Sequence, residues 1–430
     1  MKSSLFEGKE MYGLIERLFP ICRSITGNGV RQTLAILGEY MDGLNMYEVP
    51  TGENCFDWTI PNEWNISDAF IEDNSGQRIV DFKRNNLHVL NYSVPVEGAF
   101  TLDELKPHLY TLPNQPDAIP YKTSYYKERW GFCMSHNQFQ TLKNKKYRVK
   151  IDSKLTPGSL TYADKLLHGD EETEVLISTY VCHPSMANNE LSGPALAVGL
   201  YNFLAKRKNR YTYRFIFVPE TIGAIAYLSK NLEEMKKKTI AGFQLTCVGD
   251  NRGYSYIPSR TGKTIADKIA KHILDNRVQK YNRYTFLDRG SDERQYCAPG
   301  VDLPVVSMPR TKYGSFPEYH TSLDNLDLVS AEGLQGALDV HKDCICLLEE
   351  NKTYQVTTLG EPQLGKRNLR DSLGASTTLP DKDKIITNLL AYCDGKTDLI
   401  ELGEILGKCA LDFIPYILEL QSHNLLRVAP

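Results

Sequence analysis

The 430-residue sequence predicts an α/β fold: a mixed, mainly parallel sheet flanked by helices, with a β-rich inserted domain and a small winged-helix-like C-terminal domain. Three observations carry that expectation. Between residues 158 and 350, apolar and β-branched runs alternate with segments of helical periodicity. From 48 to 155 the texture shifts to short alternating stretches between Pro, Gly and Asn turns, and all three tryptophans (Trp58, Trp64, Trp130) fall there. After residue 380 helical spacing returns, and the chain ends on a short apolar tail, "LLRVA".

Taken in order, the first 45 residues read as helical, with "LIERLFPICRSI" and "VRQTLAILGEYM" carrying apolar residues three or four apart. In the β-rich stretch the strand candidates are "FDWTI", "RIVDF", "LHVLNYSV" and "KYRVKI". Beyond it, "EVLISTYV", "YRFIFVP", "GFQLTCV" and "LPVVSMP" read as strands, and segments near 193–207, 221–238, 262–275 and 329–350 as helices. This gives a core of residues 1–47 and 156–352 and an inserted β-rich domain at 48–155. The polar, Gly/Pro-rich stretch at 353–380 reads as a linker or arm. Three helices, "KDKIITNLLAYC", "LIELGEILG" and "ALDFIPYILELQSHN", then make a winged-helix-like domain at 381–430.

Composition excludes several classes of function. A net charge of −3 gives no electrostatic case for nucleic acid or an anionic membrane. Residues 381–430 hold five Lys/Arg against eight Asp/Glu, so the tail is expected to dock protein, or a second copy of itself, rather than DNA. No run of 18 apolar residues exists, and the opening "MKSSLFEGKEMYGLIERLF" lacks the unbroken apolar core of a signal peptide. Ten scattered cysteines without a CxxC read as reduced thiols, and the protein is expected to be cytoplasmic. No Gly-rich loop follows a strand, and no GxSxG elbow is present.

Polar residues gather at the ends of the strand candidates, where open α/β sheets place their ligands. "CHPSMANNELSGPA" supplies His183, Asn188, Asn189 and Glu190, and "FVPETIGA" supplies Glu220. "TCVGDNRG" supplies Asp250, "DRGSDERQY" Asp288, Asp292 and Arg294, and "PEYHTSLDNLD" His320 and Asp324. Zinc takes imidazole and carboxylate ligands and keeps a position open for catalysis, with a carboxylate nearby as base. Two histidines from separate strand ends, with carboxylates, meet that need. Each residue also has a plainer reading. The histidines could be buried hydrogen-bonding groups, Glu190 a carboxylate at a helix N-terminus, and Glu220 the partner of an Arg or an amide. Asp292 and Arg294 could contact polar groups of a substrate or form a surface ion pair. Asp324 could orient the ring of His320 or cap the helix that starts near Ser330. The aromatic residues of the insert could roof the site or simply fill a β core.

The order of these blocks, "His…NNELSG…PETIGA…CVGD…GSDERQY…YHTSLDN", resembles the co-catalytic zinc aminopeptidases, the clan that also holds glutaminyl cyclases. The β-rich insert and winged-helix tail further resemble a bacterial aminopeptidase-like branch found beside polysaccharide-biosynthesis genes. The resemblance implies a sheet of zinc-aminopeptidase type, His183 and His320 as first-zinc ligands, and Glu220 as general base. The family's bridging aspartate falls on Asn189, with Glu190 beside it, and the second-zinc glutamate falls on Thr221. The aspartate completing the second site falls near Thr246 or Cys247, with Asp250 a few residues late. The aspartate that orients the first histidine is Ser185 here. The implied cofactor is therefore one zinc ion, on His183, Glu190 and His320, with Asn189, Asp250 and Asp324 in support and Asp292 and Arg294 toward substrate. The implied function is amide-bond hydrolysis on a small peptide or an N-acylated amino sugar. Two other functions stay open: a binding or scaffold protein on a metal-free aminopeptidase fold, and a one-zinc acyl transferase or cyclase.

Overall fold

The computed structural model describes residues 6–369 and 381–429. Its central sheet has six strands, in the order Asn45–Pro50, Ser159–Leu167, Thr212–Val218, Glu174–Tyr180, Thr239–Leu245 and Val305–Ser307. The first two neighbouring pairs are antiparallel and the other three parallel, which is the mixed sheet expected. Strands Glu174–Tyr180 and Thr212–Val218 are buried at every residue, because helices cover both faces. Alternation along Thr212–Val218 shows how. Phe215 meets Tyr201 of helix Ser192–Leu204 edge-on, with ring centroids 5.8 Å apart. The neighbouring Ile216 and Val218 point the other way, into a cluster with Ile222, Ile225 and Leu228 of helix Ile222–Lys238.

Strand Glu174–Tyr180 is tied to its neighbour by a buried two-pronged ion pair. Arg214 donates to Glu174 at 2.7 and 2.8 Å, and again to the Tyr227 hydroxyl at 2.8 Å. Helix Ser192–Leu204 approaches the sheet closely enough that a Cβ on Gly193 would sit 2.3 Å from Thr179 Oγ1. Hence the "SG" pair. Pro194 has no N–H for the carbonyl of Glu190, and the chain widens there into a turn, Ala187–Leu191, closed by Leu191 N donating to Met186 O at 3.3 Å.

The opening helical stretch differs from expectation in one respect. Helix Gly8–Leu18 buries Met11, Leu14, Ile15 and Leu18 at the predicted spacing but ends ahead of Pro20, and helix Asn28–Gly38 resumes after a buried turn. Pro20 has no N–H to continue the helix ladder, so the helix stops and "ICRSI" becomes a loop that runs beneath the site. The strand Ser159–Leu167, whose Ser159–Asp164 part pairs with Asn45–Pro50, was not among the strand candidates.

Residues 48–50 belong to the central-sheet strand Asn45–Pro50, and the chain after them builds a four-stranded antiparallel sheet in the order Arg78–Asp81, Glu63–Glu72, Lys146–Thr156 and Val96–Thr101. Its Trp64, Tyr147, Val149 and Ile151 share one hydrophobic cluster with Leu176, Ile216 and Val218 of the central sheet. By contacts the chain divides into two units, residues 1–266 with 281–338, and residues 267–280 with 339–430. The β-rich stretch thus lies in the same unit as the central sheet.

In the second unit, strands Asp394–Asp398, Thr353–Val356 and Leu426–Val428 make a three-stranded antiparallel sheet. Helices Asp381–Tyr392, Leu399–Leu406 and Ile414–Ser422 accompany it, which is the winged-helix arrangement. Helix Leu399–Leu406 starts on a reciprocal Asp398–Glu401 cap and stops at Gly407, whose φ of 62° suits glycine. Thr353–Val356, inside the stretch read as a linker or arm, is thus a strand; the part of that stretch at 370–380 lies outside the described residues. No cysteine is disulfide-bonded, and no helix among the described residues is long and apolar enough to cross a membrane.

Candidate active site

The ends of two adjacent strands meet at His183. It follows strand Glu174–Tyr180, and Glu220 follows the neighbouring Thr212–Val218. The two edges of the His183 ring face different carboxylates: Nδ1 lies 2.7 Å from Glu190 Oε2, and Nε2 lies 3.5 Å from Glu220 Oε2. Beneath Glu190 sits Arg23, 0% exposed, which donates to the carbonyls of His183 at 2.9 Å and Leu18 at 2.8 Å. Its Nε is 3.6 Å from Glu190 Oε1. Glu190, expected as a ligand, is therefore engaged with His183 itself, from the side away from Glu220.

His320 arrives on a left-handed backbone, φ 56°, and stacks on Tyr319 with centroids 3.9 Å apart. Its ring lies 5.4 Å from that of His183, and its buried Nε2 has no hydrogen-bond partner. Two imidazoles on one tetrahedral zinc have ring centres about 5 Å apart, given metal–nitrogen bonds of about 2 Å. The spacing and the orphaned nitrogen fit one shared metal. Cys182, His183 and Glu190 also bring donor atoms within 4.8 Å of one another, but burial pushes the Cys182 thiol up to about 11. Burial likewise lowers His320, to about 3, with His183 adding to the effect. Burial disfavours a charge on His183 too, but Cys182 and Glu190 outweigh it and raise its pKa well above the imidazole value. Glu220 is raised by burial, against the pull of His183 and Arg294.

The remaining candidates hold the frame. Asp324 orients no histidine ring and caps no helix at Ser330; its carboxylate accepts the amides of Asn188 at 2.6 Å and Asn189 at 2.9 Å. That turn needs its free N–H groups satisfied, and a buried carboxylate does so. Asp250 accepts from Asn188 Nδ2 at 3.1 Å and from Thr311 N at 3.0 Å, joining two loops. Asn189 Oδ1 lies 2.9 Å from the Tyr180 hydroxyl, and Thr221 accepts from Arg294. Asp292, fully buried, accepts the Thr221 amide at 2.7 Å and does not line the cleft, so it is no surface ion pair. Asp288 caps its own turn at Thr285. Thr221 itself has φ 67°, a strained value for a β-branched residue, and it turns the chain sharply between Glu220 and helix Ile222–Lys238.

A cleft of about 430 Å³ opens over these groups, with His183, Glu220, Arg294 and His320 in its wall. The inserted segment supplies the opposite wall. Tyr121 donates its amide to His320 O at 2.9 Å and sets its ring 5.2 Å from both histidines, while its hydroxyl meets that of Tyr125 at 2.7 Å. Trp58 and Tyr126 complete this wall. The insert thus does both things considered for it: Trp64 and Tyr147 fill a core, and other aromatics roof the site. Sequence reasoning missed Arg23 and Lys122. A lone cation within the apolar "FPICRSI" was the available signal for Arg23, and none marked Lys122.

Sheet, strand-end histidines and cleft together define a protein of aminopeptidase-like fold. A zinc aminopeptidase from Bacillus subtilis matches at TM-score 0.58 and 13% identity, over 80% of this chain and 95% of that one. Far more similar is a Clostridium acetobutylicum crystal structure provisionally described as a peptidase: TM-score 0.92, 43% identity, 98% of this chain and 96% of that one. A C. acetobutylicum protein, named provisionally for polysaccharide biosynthesis with an aminopeptidase-like domain, is 45% identical over 404 residues, 94% of this chain and 92% of its own. Residues 12–351 match the family described as a domain of unknown function, DUF4910, and residues 352–428 match a winged helix-turn-helix family. The chain belongs to the DUF4910 family.

Proposed function

We propose that the protein is a metal-dependent amide hydrolase, with one zinc held by His183 and His320 and with Glu220 as general base. The observation that carries the reading is the convergence of His183 Nε2, the unpartnered His320 ring and Glu220 on one cleft. A zinc ion bound there would supply Lewis acidity toward the amide carbonyl. Glu220 would take the proton of the attacking water and pass it to the departing amine nitrogen, so that water and amide become acid and amine. A carboxylate raised by burial suits both halves of that transfer. Glu190 takes the place of the missing aspartate at Ser185: by accepting from Nδ1 it holds His183 in the tautomer that leaves Nε2 for the metal. The name of the 45% identical relative points to polysaccharide biosynthesis, which keeps an N-acylated amino sugar beside a small peptide as substrate class. The winged-helix unit is read as a docking module for protein or a second copy, and the protein as cytoplasmic.

Glu220→Gln tests the assignment. Zinc content by elemental analysis should stay near that of wild type while amide turnover is lost. Loss of zinc would make Glu220 a ligand instead, and undiminished turnover would remove it from the chemistry. A binding-protein reading is favoured by one observation: Asn189 and Thr221, at the positions of second-zinc ligands, are spent on hydrogen bonds within the protein. Wild-type protein that takes up no zinc, with His320→Ala indistinguishable from it, would decide for that reading.

A further inference from the structure

The charges facing the cleft are unequal. Among its lining residues Glu220 is the one carboxylate, whereas two are cations, Lys122 and Arg294. Arg294 uses one nitrogen on the Thr221 hydroxyl, and its buried Nε has no hydrogen-bond partner. Neither cation forms an ion pair among the described residues, whereas the buried Arg23 nearby is paired with Glu190. A guanidinium with one nitrogen engaged on a hydroxyl and no ion pair among the described residues remains an anion receptor in a partly desolvated cleft, because its planar fork matches both oxygens of a carboxylate.

A substrate ammonium would meet the reverse situation. It would face two like charges and a single carboxylate, the one whose work is proton transfer. Of the other carboxylates nearby, Glu190 is held by His183 and Arg23, and Asp292 is buried behind Thr221, where burial and Glu220 push its pKa well up and the Thr221 amide occupies it. Among the described residues lining the cleft, no further acidic side chain is left to meet a free amine. Much of the rest of the wall is aromatic: Trp58 and Tyr126 stand edge to face with centroids 5.7 Å apart, beside Tyr125. Such surfaces accept a sugar ring or an apolar side chain, and about 430 Å³ holds a monosaccharide with its acyl group or a short peptide.

We infer that the cleft takes an amide whose molecule also carries a carboxylate, bound by the Arg294 fork with Lys122 at the rim, and does not take a free N-terminal amine. The inference rests on the amide-hydrolase reading for the amide and on the cleft alone for the charge.

The test is binding, by calorimetry on zinc-free full-length protein at low salt, with two series of probes. The sugar series is N-acetylglucosaminuronic acid, N-acetylglucosamine and glucosamine; the peptide series is N-acetylalanine, N-acetylalaninamide and alaninamide. In at least one series the carboxylated member should bind about tenfold or more tighter than the neutral one, with the ammonium weakest. The series that does so identifies the source, acidic sugar or acidic peptide. In Arg294→Gln the preference should fall to about threefold or less with the neutral probe little changed, and Arg294→Lys should keep part of it, as charge without a fork. Melting temperatures of both variants guard against misfolding. Equal or tighter binding of the neutral or ammonium probe in both series overturns the inference, as does no binding of either carboxylate or a preference that survives Arg294→Gln. Since no turnover is read, failure here leaves the hydrolase reading intact, and an inactive protein can still pass.

Discussion

Replacing Glu190 with Gln removes one negative charge from a place without solvent and barely alters the shape. Arg23 and Glu190 side chains are both 0% exposed, with Nε 3.6 Å from Oε1. At an effective dielectric of about 20, their attraction at that distance is about 5 kcal/mol. Arg23 would keep its bonds to the carbonyls of His183 and Leu18, so part of its cost of burial stays offset. The expected loss of stability is about 3 kcal/mol, the lower end for stranding one member of a buried pair. A second loss follows from the 2.7 Å contact of Glu190 with His183 Nδ1. The Gln oxygen can still accept that proton but brings no charge, so zinc affinity should weaken about tenfold or more. Urea unfolding of zinc-free protein reads the first effect, and competition with a chromophoric chelator reads the second. The double variant Arg23→Met with Glu190→Gln separates them: it removes both charges, should recover about half of the lost stability, and should bind zinc no better than the single variant. A Glu190→Gln protein within about 1 kcal/mol of wild type, binding zinc equally well, would refute the reasoning.

Two further outcomes follow from other parts of the chain. Arg214→Met strands Glu174, whose side chain is 3% exposed, and should cost about 3–5 kcal/mol, with much of it restored by adding Glu174→Leu; a double variant less stable than Arg214→Met would overturn the account. In the second unit, His272 Nε2 accepts the Ala410 amide at 2.9 Å, and burial lowers the pKa of this ring, so its stabilising contribution is full above about pH 6.5 and is lost as pH falls through the lower folded value. Hydrogen-exchange protection at the Ala410 amide should therefore fall between pH 7.5 and pH 5 (after correction for intrinsic exchange), and a flat profile would sink the idea.

What the sequence made legible was whatever lies close along the chain. Strands read as apolar runs, and His183 and Glu220 read as polar residues just past them, because an open sheet exposes strand ends and buries the rest, whereas His320, in the loop well beyond strand Val305–Ser307, read from the order of the blocks. The order of the blocks gave the fold. What stayed hidden depended on side-chain direction across long separations. Glu190 read equally as ligand or helix-end carboxylate; only the position of Arg23, on a loop forced by Pro20, shows that it faces His183 Nδ1. Asp324 read equally as the partner of His320, four residues away, or as a cap of the helix near Ser330, yet its carboxylate turns to the Asn188 and Asn189 amides, which cost more to leave unsatisfied. Lys122 sits amid other polar residues of the insert, and nothing local distinguishes a cleft cation from a solvated one.

On the proposed reading, the same residues suit one metal rather than two. A pair of divalent ions a few ångströms apart is held only where several carboxylates neutralise them. Around this cleft the carboxylates are committed elsewhere: Glu190 to Arg23 and His183, Asp324 to two amides, Asp250 to Asn188 and Thr311, Asp292 to Thr221. Where the family resemblance expects a bridging aspartate and a second-zinc glutamate stand Asn189 and Thr221, both neutral, and Arg294 adds a positive charge at Thr221. A second dication there would gain no compensating anion and would be repelled by a fixed guanidinium. The change is therefore more than a loss of ligands. Arg294 puts permanent positive charge where a metal-binding carboxylate would otherwise be, and a cation that cannot dissociate can orient an anionic substrate, though it offers no open coordination position for chemistry.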